Sequence, residues 1–193
     1  MKNLIRIKGD ASLRKFFRKK KNHFSSIIVV AKKEKFKNLL VYDAINKILI
    51  KNKILAPRLY NENYSNNYIE IQDFGNETIL NKLNKKKTIK FIYFKKIIQL
   101  LNKIQLIKSR KIKTFKNKSY IIPEYNKKIL IREANLFCDW YVNNKFSRVR
   151  KDKFSKKFKK IIKKLTLNLK LKNDIFVHRD FHISNLMIIK NQI

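Results

Sequence analysis

One cysteine, Cys138, two glycines, Gly9 and Gly75, and two prolines, Pro57 and Pro123, are all that the 193 residues contain of those types. A lone cysteine excludes a disulfide within the chain, and no paired Cys/His spacing offers a zinc framework, so a reducing, cytoplasmic setting is expected. With glycine and proline this scarce, each of the four marks a break in regular structure. Acid is scarce too: 13 Asp and Glu stand against 49 Lys and Arg, a formal net charge of +36. Long hydrophobic runs are missing. No segment approaches the ~18 apolar residues of a membrane span, and Met1 to Lys8 lacks the apolar core of a signal peptide. The expectation is a soluble protein with no membrane span.

What is present is sufficient for a folded core, because 44% of the residues are hydrophobic. A charge of +36 would ordinarily point to nucleic acid or an anionic surface. Here, however, lysine is accompanied by abundant Asn and Ile, all with A/T-rich codons, and the basic residues are spread along the whole length. Runs such as Lys19-Lys20-Lys21 and Lys85-Lys86-Lys87 therefore read as solvated faces, and no specific nucleic-acid partner is expected. A non-catalytic protein that binds a polyanion through these faces stays open as the alternative.

Periodicity divides the chain in two. Ser26 to Ala31 is short, β-branched and apolar, as a buried strand is. From Lys35 to about Lys51, Phe36, Leu39, Leu40, Ala44, Ile45, Ile48 and Leu49 recur at three- and four-residue spacing, which predicts an amphipathic helix ending before Pro57. Arg58 to Tyr60 and Tyr68 to Gln72 read as two further strands joined by a polar, hairpin-like loop. Beyond Gly75 helices are expected over 88–107, with Phe91, Phe94, Ile98, Leu101 and Ile104 on one side, and over 129–146 and 154–171; 108–128 contains a loop. The fold class is α+β, with a strand-rich part at 1–76 and a helical part at 77–193.

The chemistry is concentrated near the end. A last apolar strand, Asp174 to Val177, runs into His178-Arg179-Asp180, and Asn185 follows five positions after the aspartate. Phosphoryl transfer calls for these types at this distance: a carboxylate to orient and deprotonate the attacking hydroxyl, and an amide oxygen one turn later to hold magnesium. Two of the chain's three histidines fall inside this string; the third, His23, reads as a surface residue.

The whole string Val177 to Met187 resembles the catalytic loop of the aminoglycoside phosphotransferase and kinase-like superfamily. His182, two residues after the aspartate, is the small-molecule type, whereas protein kinases carry lysine there; a G-x-G-x-x-G loop is also missing. A second match narrows the group. Gly9-Asp10-Ala11-Ser12-Leu13-Arg14-Lys15-Phe16-Phe17-Arg18 resembles the G-D-A-S-x-R-x-[YF]-x-R opening of bacterial phosphotransferases that include the N-acetylmuramate/N-acetylglucosamine anomeric kinases. Ile71-Gln72-Asp73-Phe74-Gly75 is similar to their L-E-D-L-G hinge, and Arg132 to Tyr141 to their R-E-L-x-L-F-x-x-W-[YF] helix.

The resemblance implies a protein-kinase-like two-lobed fold, an antiparallel sheet lobe followed by a helical lobe, and an ATP- and Mg2+-dependent transferase. Its acceptor would be a hydroxyl of a small molecule, an amino sugar of cell-wall recycling. On this reading Asp180 is the base, His178 and Arg179 support its loop, and Asn185 is a metal ligand. Gly9, Asp10, Ala11 and Ser12 would meet nucleotide phosphates through backbone N–H groups and the Ser12 hydroxyl. Gln72, Asp73 and Phe74 would bind adenine through main chain, and Lys32 would pair with phosphate, braced by Asp43. Arg132, Glu133 and Trp140 would face the acceptor. The pattern also implies a second metal-binding aspartate after Asn185. None follows Asp180, so the expectation is a chain truncated after the catalytic loop and inactive alone, or a degenerate pseudokinase.

Overall fold

The computed structural model describes residues 4–7, 14–33, 37–85, 90–170, 175–190 and 193. They form an α+β fold in two compact units, residues 1–122 with 178–193 and residues 123–177. Gly9, Asp10, Ala11 and Ser12, assigned above to nucleotide phosphates, lie outside the described residues, as does Phe36.

The first unit is built on a five-stranded antiparallel sheet. Its strands are β1 (Leu4–Ile7), β2 (Arg14–Lys21), β3 (Phe24–Ala31), β4 (Leu59–Asn63) and β5 (Tyr68–Gln72), in the order β1-β2-β3-β5-β4. Helix α1 (Asn38–Lys51) connects β3 to β4. Register explains which residues form the core. Phe16 pairs with Val29, which pairs with Ile69, and one step along Arg18, Ile27 and Ile71 align in the same way. Opposed residues of antiparallel strands share a face, so Phe16, Val29 and Ile69 lie in one row and Arg18, Ile27 and Ile71 in the next. Val29 and Ile69 are wholly buried, and Leu39 of α1 joins their cluster. The opposite face carries Lys19, Ser26 and Glu70. There the buried Ser26 hydroxyl donates to Glu70 at 2.5 Å, and Lys19 Nζ lies 3.2 Å from the same carboxylate.

Three of the five strands in this sheet, β3, β4 and β5, touch the segments expected from pattern, but two were not foreseen. Strand β1 carries Arg6 among exposed apolar residues, and β2 reads RKFFRKKK, with basic residues at six of eight positions. Charge hides a strand when its pairing, and not its own burial, holds it in place. The expected polar connection between β4 and β5 is tighter than its sequence suggested. β4 runs on to Asn63, and a single 3₁₀ turn (Tyr64–Asn66) closes it, with the Asn63 side chain accepting from Asn66 N–H at 3.2 Å.

After the sheet come α2 (Ile79–Lys85) and α3 (Lys90–Gln105), then a hairpin of β6 (Lys111–Lys113) and β7 (Ser119–Ile121) within the segment expected as loop. The apolar side foreseen for α3 is real in sequence but not in burial: Ile104 is buried, whereas Phe91 is 80% and Ile98 58% exposed. Periodicity identifies an apolar face without saying what covers it.

The second unit is helical: α4 (Lys127–Leu136), a π-helical turn (Phe137–Val142), α5 (Asn143–Lys145) and α6 (Arg148–Asn168). Phe137 stacks on Tyr141 at 5.3 Å and meets Phe158 at 5.4 Å, while Phe154 meets Phe146 at 5.3 Å. Cys138 and Val142 are buried beside this aromatic layer. The strand expected at 174–177 is not formed among the described residues 175–177. A short apolar run does not distinguish a strand from a buried extended segment, and Phe176 is buried without a ladder. No helix among the described residues is long and apolar enough to cross a membrane.

Because glycine is so rare, tight turns use other residues. Asn22, Asn67 and Asn117 take left-handed conformations with φ of 52°, 57° and 55°, and so do Lys33, Lys37, Lys53 and Arg179. Asparagine tolerates this region because its short side chain bonds locally; lysine and arginine gain no such relief.

Truncation of Ile69 to Ala, at the centre of the sheet core, is expected to cost about 3–4 kcal/mol in urea unfolding. The same change at Phe91 is expected to stay within about 0.5 kcal/mol.

Candidate functional site

The final segment of the first unit is fixed by main-chain bonds. Ile79 N–H donates to Leu186 O at 2.9 Å, Leu80 N–H to Ile183 O at 3.2 Å, and Ile188 N–H to Glu77 O at 2.9 Å. Thr78 and Met187 form an antiparallel bridge between these contacts. The start of α2 thus grips residues 183–188, and the chain just before them is presented as a loop.

Within that loop Asp180 and Asn185 meet. Asn185 Nδ2 donates to Asp180 Oδ2 at 2.7 Å and to the Asp180 carbonyl at 3.2 Å, while Asn185 N–H donates to His182 O at 2.9 Å. His182 Nε2 stands between them, 3.1 Å from Asp180 Oδ1 and 2.9 Å from Asn185 Nδ2. Its Nδ1 lies 2.7 Å from the Ser184 hydroxyl. A ring nitrogen either donates or accepts, so Nε2 serves the carboxylate when protonated and the amide when not. The Asp180 side chain is 71% exposed, and a hydroxyl can approach it directly.

His178 and Arg179 behave differently from the residues they precede. Burial holds the His178 pKa below the ordinary histidine value, only partly opposed by the negative charge of Asp180, so the ring is neutral at pH 7. Its Nδ1 is buried with no hydrogen-bond partner, and its ring meets Phe181 edge-on at 5.9 Å. Arg179 adopts φ of 68°, and its charge bears on Tyr120 of β7. Burial raises the pKa of that phenol, and Arg179 draws it back.

The segment assigned to adenine binding is held from the sheet. Arg18 Nε and Nη2 contact Asp73 Oδ2 and Oδ1 at 2.6 and 3.0 Å, Nη2 also donates to Gly75 O at 2.8 Å, and Nη1 donates to Asn76 Oδ1 at 2.6 Å. Asp73 in turn accepts from Gly75 N–H at 2.8 Å, and Gly75 takes φ of 85°, a conformation that suits glycine. Burial works to raise the Asp73 carboxyl, but the Arg18 bonds, the Gly75 N–H and the Ser25 side chain outweigh it and hold the pKa below the usual range. Only 4% of the Asp73 side chain is exposed. Gln72 N–H donates to Arg58 O at 2.8 Å, and Phe74 is half-buried.

Lys32 is exposed at the end of β3. Asp43 is buried and takes Lys47 Nζ at 2.7 Å, one helical turn away, and the Phe115 N–H at 3.2 Å; the pair with Lys32 is not among these contacts. In the second unit Arg132 lines a pocket of about 530 Å³ together with Asn135, Asp139 and Lys159. Glu133 is not among its lining residues and accepts from the Tyr125 hydroxyl at 2.5 Å. Trp140 is 73% exposed and lies outside the lining as well. Sequence reasoning passed over Arg18, Asn135, Asp139 and Lys159. Three of these carried a signal: Asn135 and Asp139 follow Arg132 by three and seven residues, the spacing of one helical face, and Arg18 closes the motif that begins at Gly9.

Oxygen donors for a hard cation are present, since magnesium is held by one or two protein oxygens together with substrate phosphates. The hydrogen bonds of the Asn185 side chain to this loop run through Nδ2, and its carbonyl oxygen suits such a role. Among the described residues no group of three or more His, Cys, Asp or Glu could hold a metal unaided.

The chain is distantly similar in sequence to proteins named as kinases. The chain is 23% identical over 187 residues to the N-acetylmuramate/N-acetylglucosamine kinase of Neisseria meningitidis serogroup B, covering 95% of this chain and 52% of that protein. Proteins of the same name from Pseudomonas aeruginosa and Pseudomonas putida are 23% and 24% identical over 185 residues, covering 96% of this chain and 51% of each. The chain therefore spans about half the length of the curated relatives it matches. No protein-family model matches it.

Replacing Arg18 by Met leaves a nearly buried carboxylate without its cation and is expected to cost about 3 kcal/mol of stability. Replacing the more exposed Lys19 is expected to cost less than about 1 kcal/mol. Because the folded pKa of Asp73 is depressed, the stability it contributes is present above its unfolded value, about 3.9, and is lost as pH falls through the folded one. Melting curves of wild type and Asp73→Asn are therefore expected to converge as the pH is lowered below about 4.

Proposed function

We propose that this chain carries the nucleotide-binding and catalytic-loop part of an ATP- and Mg2+-dependent kinase that phosphorylates a hydroxyl of an amino sugar. The observation that carries the reading is the pairing of Asp180 with Asn185 on one exposed turn at 2.7 Å. A carboxylate open to an incoming hydroxyl, next to an amide oxygen donor, is what phosphoryl transfer needs from a protein. Sequence similarity to proteins named N-acetylmuramate/N-acetylglucosamine kinase supports the acceptor class.

In this reading the N-terminal lobe extends to residue 76 and the helical lobe follows. Asp180 orients the acceptor hydroxyl and takes its proton as the oxygen attacks phosphorus. Asn185 holds Asp180 in place through Nδ2 and offers its carbonyl oxygen to magnesium. Magnesium, when bound, neutralises charge on the phosphates. His178, neutral and packed on Phe181, and Arg179, held near Tyr120, keep the loop in shape. The Arg18 contacts to Asp73, Gly75 and Asn76 fix the backbone that would bond to adenine, with Gln72 and Phe74 beside it. Gly9 to Ser12 and Lys32 are the proposed phosphate contacts.

The test combines nucleotide binding with transfer. The chain is expected to bind ATP more tightly with magnesium than without, and Asn185→Ala to remove most of that difference. In a protein completed with the remaining half of such a kinase, transfer from ATP to N-acetylglucosamine, measured by release of ADP, is expected to fall roughly 10²–10⁴-fold in Asp180→Ala, the range for loss of a general base. Nucleotide binding that ignores magnesium in wild type, or turnover retained in Asp180→Ala, contradicts the proposal. Binding to heparin that fades with salt, without any response to ATP, would favour the polyanion reading instead.

A further inference from the structure

Helix α6 concentrates positive charge beyond the level of the chain as a whole. Ten of its 21 residues are Lys or Arg and one, Asp152, is acidic, whereas the chain has 49 basic and 13 acidic residues among 193. With roughly 100° between successive residues, Lys153, Lys156, Lys157, Lys160 and Lys164 follow the spacing of one helical face, and all five are exposed. The opposite face is occupied. Phe154 and Phe158 meet Phe137 at 6.2 and 5.4 Å, Ile162 is half-buried and Thr166 is buried. In the first unit several lysines are met by carboxylates, as Lys19 is by Glu70, Lys47 by Asp43 and Lys116 by Glu62. None of the five on α6 has an ion-pair partner among the described residues. A compositional excess of lysine supplies solvated positions everywhere; it does not by itself leave one face of one helix without acid.

The arrangement selects among anionic partners. Like charges at three- and four-residue spacing repel one another, and an opposing row of anions relieves that repulsion. From Lys153 to Lys164 the face is about 16 Å long, roughly one charge per 4 Å, close to the ~3.4 Å per charge along each strand of a duplex. Lysine meets phosphate as a point charge, without the planar fork by which arginine reads bases. A single strand is held by stacking its bases on aromatic rings, and the two aromatic residues of α6, Phe154 and Phe158, are turned to Phe137. A helix on a membrane surface lays its apolar face into the lipid, but the apolar stripe of α6 is packed within its own unit, and the exposed Ile161 and Leu165 flank the lysine face without lying on it. We infer that α6 is a docking face for the phosphate backbone of double-helical nucleic acid, engaged without regard to sequence. The face lies wholly within the second unit and does not rest on the kinase reading.

Binding of the full chain to labelled duplexes of two unrelated sequences, as DNA and as RNA, is measured by fluorescence anisotropy. With five phosphate contacts, the logarithm of affinity is expected to fall against the logarithm of salt with a slope of about −4.5, a loss on the order of 500-fold between about 50 and 200 mM. The two sequences are expected to bind within about threefold of each other, since backbone contacts carry no sequence information. Lys153→Gln, Lys157→Gln, Lys160→Gln and Lys164→Gln, combined, are expected to flatten the slope by about 3.6 and to lower affinity at least about tenfold, with the circular dichroism of the helices unchanged. The same four positions changed to Arg are expected to retain binding, which separates loss of charge from loss of fold. A control carrying Lys20→Gln, Lys21→Gln, Lys51→Gln and Lys53→Gln, all at exposed positions, loses the same net charge and is expected to stay within about threefold of wild type. Equal losses in the two Gln variants would mean that binding follows overall charge and would overturn the inference. Tighter binding of single strands or of phosphatidylserine vesicles than of duplex, or a strong preference for one sequence, would overturn it as well.

Discussion

The contact on which the first unit depends is the fork of Arg18 around Asp73. Arg18 stands in the row of Ile27 and Ile71, where an apolar side chain would be expected, and its charge is tolerable there only because a carboxylate and a main-chain carbonyl take up its donors. From Asp73 the chain passes through Gly75 and Asn76, both held by the same guanidinium, to Glu77 and Ile79, which bond to Ile188 and Leu186. One cation on a strand is thus linked by short steps to the loop that carries Asp180. What the sheet determines is where the chain leading to that loop begins.

The loop itself shows how a small number of polar groups can define one geometry. Asn185 is bound three times through one nitrogen, to a carboxylate oxygen, a carbonyl and a ring. His182 can satisfy only one of its two neighbours with Nε2 at a time, and its other nitrogen is engaged by Ser184. Choosing a tautomer in this ring is therefore equivalent to choosing whether Asp180 has a donor on its second oxygen. Burial disfavours the charged form of His178 two residues before Asp180, so the positive charge at that end of the loop is that of Arg179.

Sequence reasoning found what is carried by local pattern. β3, β5 and α1 announce themselves by β-branched runs or by three- and four-residue spacing, and each was placed within a few residues. The pairing of Asp180 with Asn185 was visible because both sit on one short loop. What stayed hidden was set by distant partners. β2 is a strand because Phe16 and Phe17 pair with Val29 and Ile28, not because RKFFRKKK prefers to be one. The exposed side of α3 was expected inside. The partner of Arg18 is 55 residues away at Asp73, and Lys159, on a different helix from Arg132, has no local signature at all. The π-helical turn after Leu136 was likewise read as ordinary helix, since a single wide turn leaves no mark on hydrophobic spacing.

The near-absence of glycine leaves a mechanical debt in the turns. Lys33, Lys37 and Lys53 hold left-handed backbone that costs an L side chain roughly 1–2 kcal/mol each. None of the three takes part in the loop or the pocket. The fold thus carries reserve stability at its corners, recoverable by glycine without disturbing either chemistry, whereas Arg179, bent in the same way at φ of 68° directly before Asp180, is the one corner where relaxation would loosen the aim of the carboxylate.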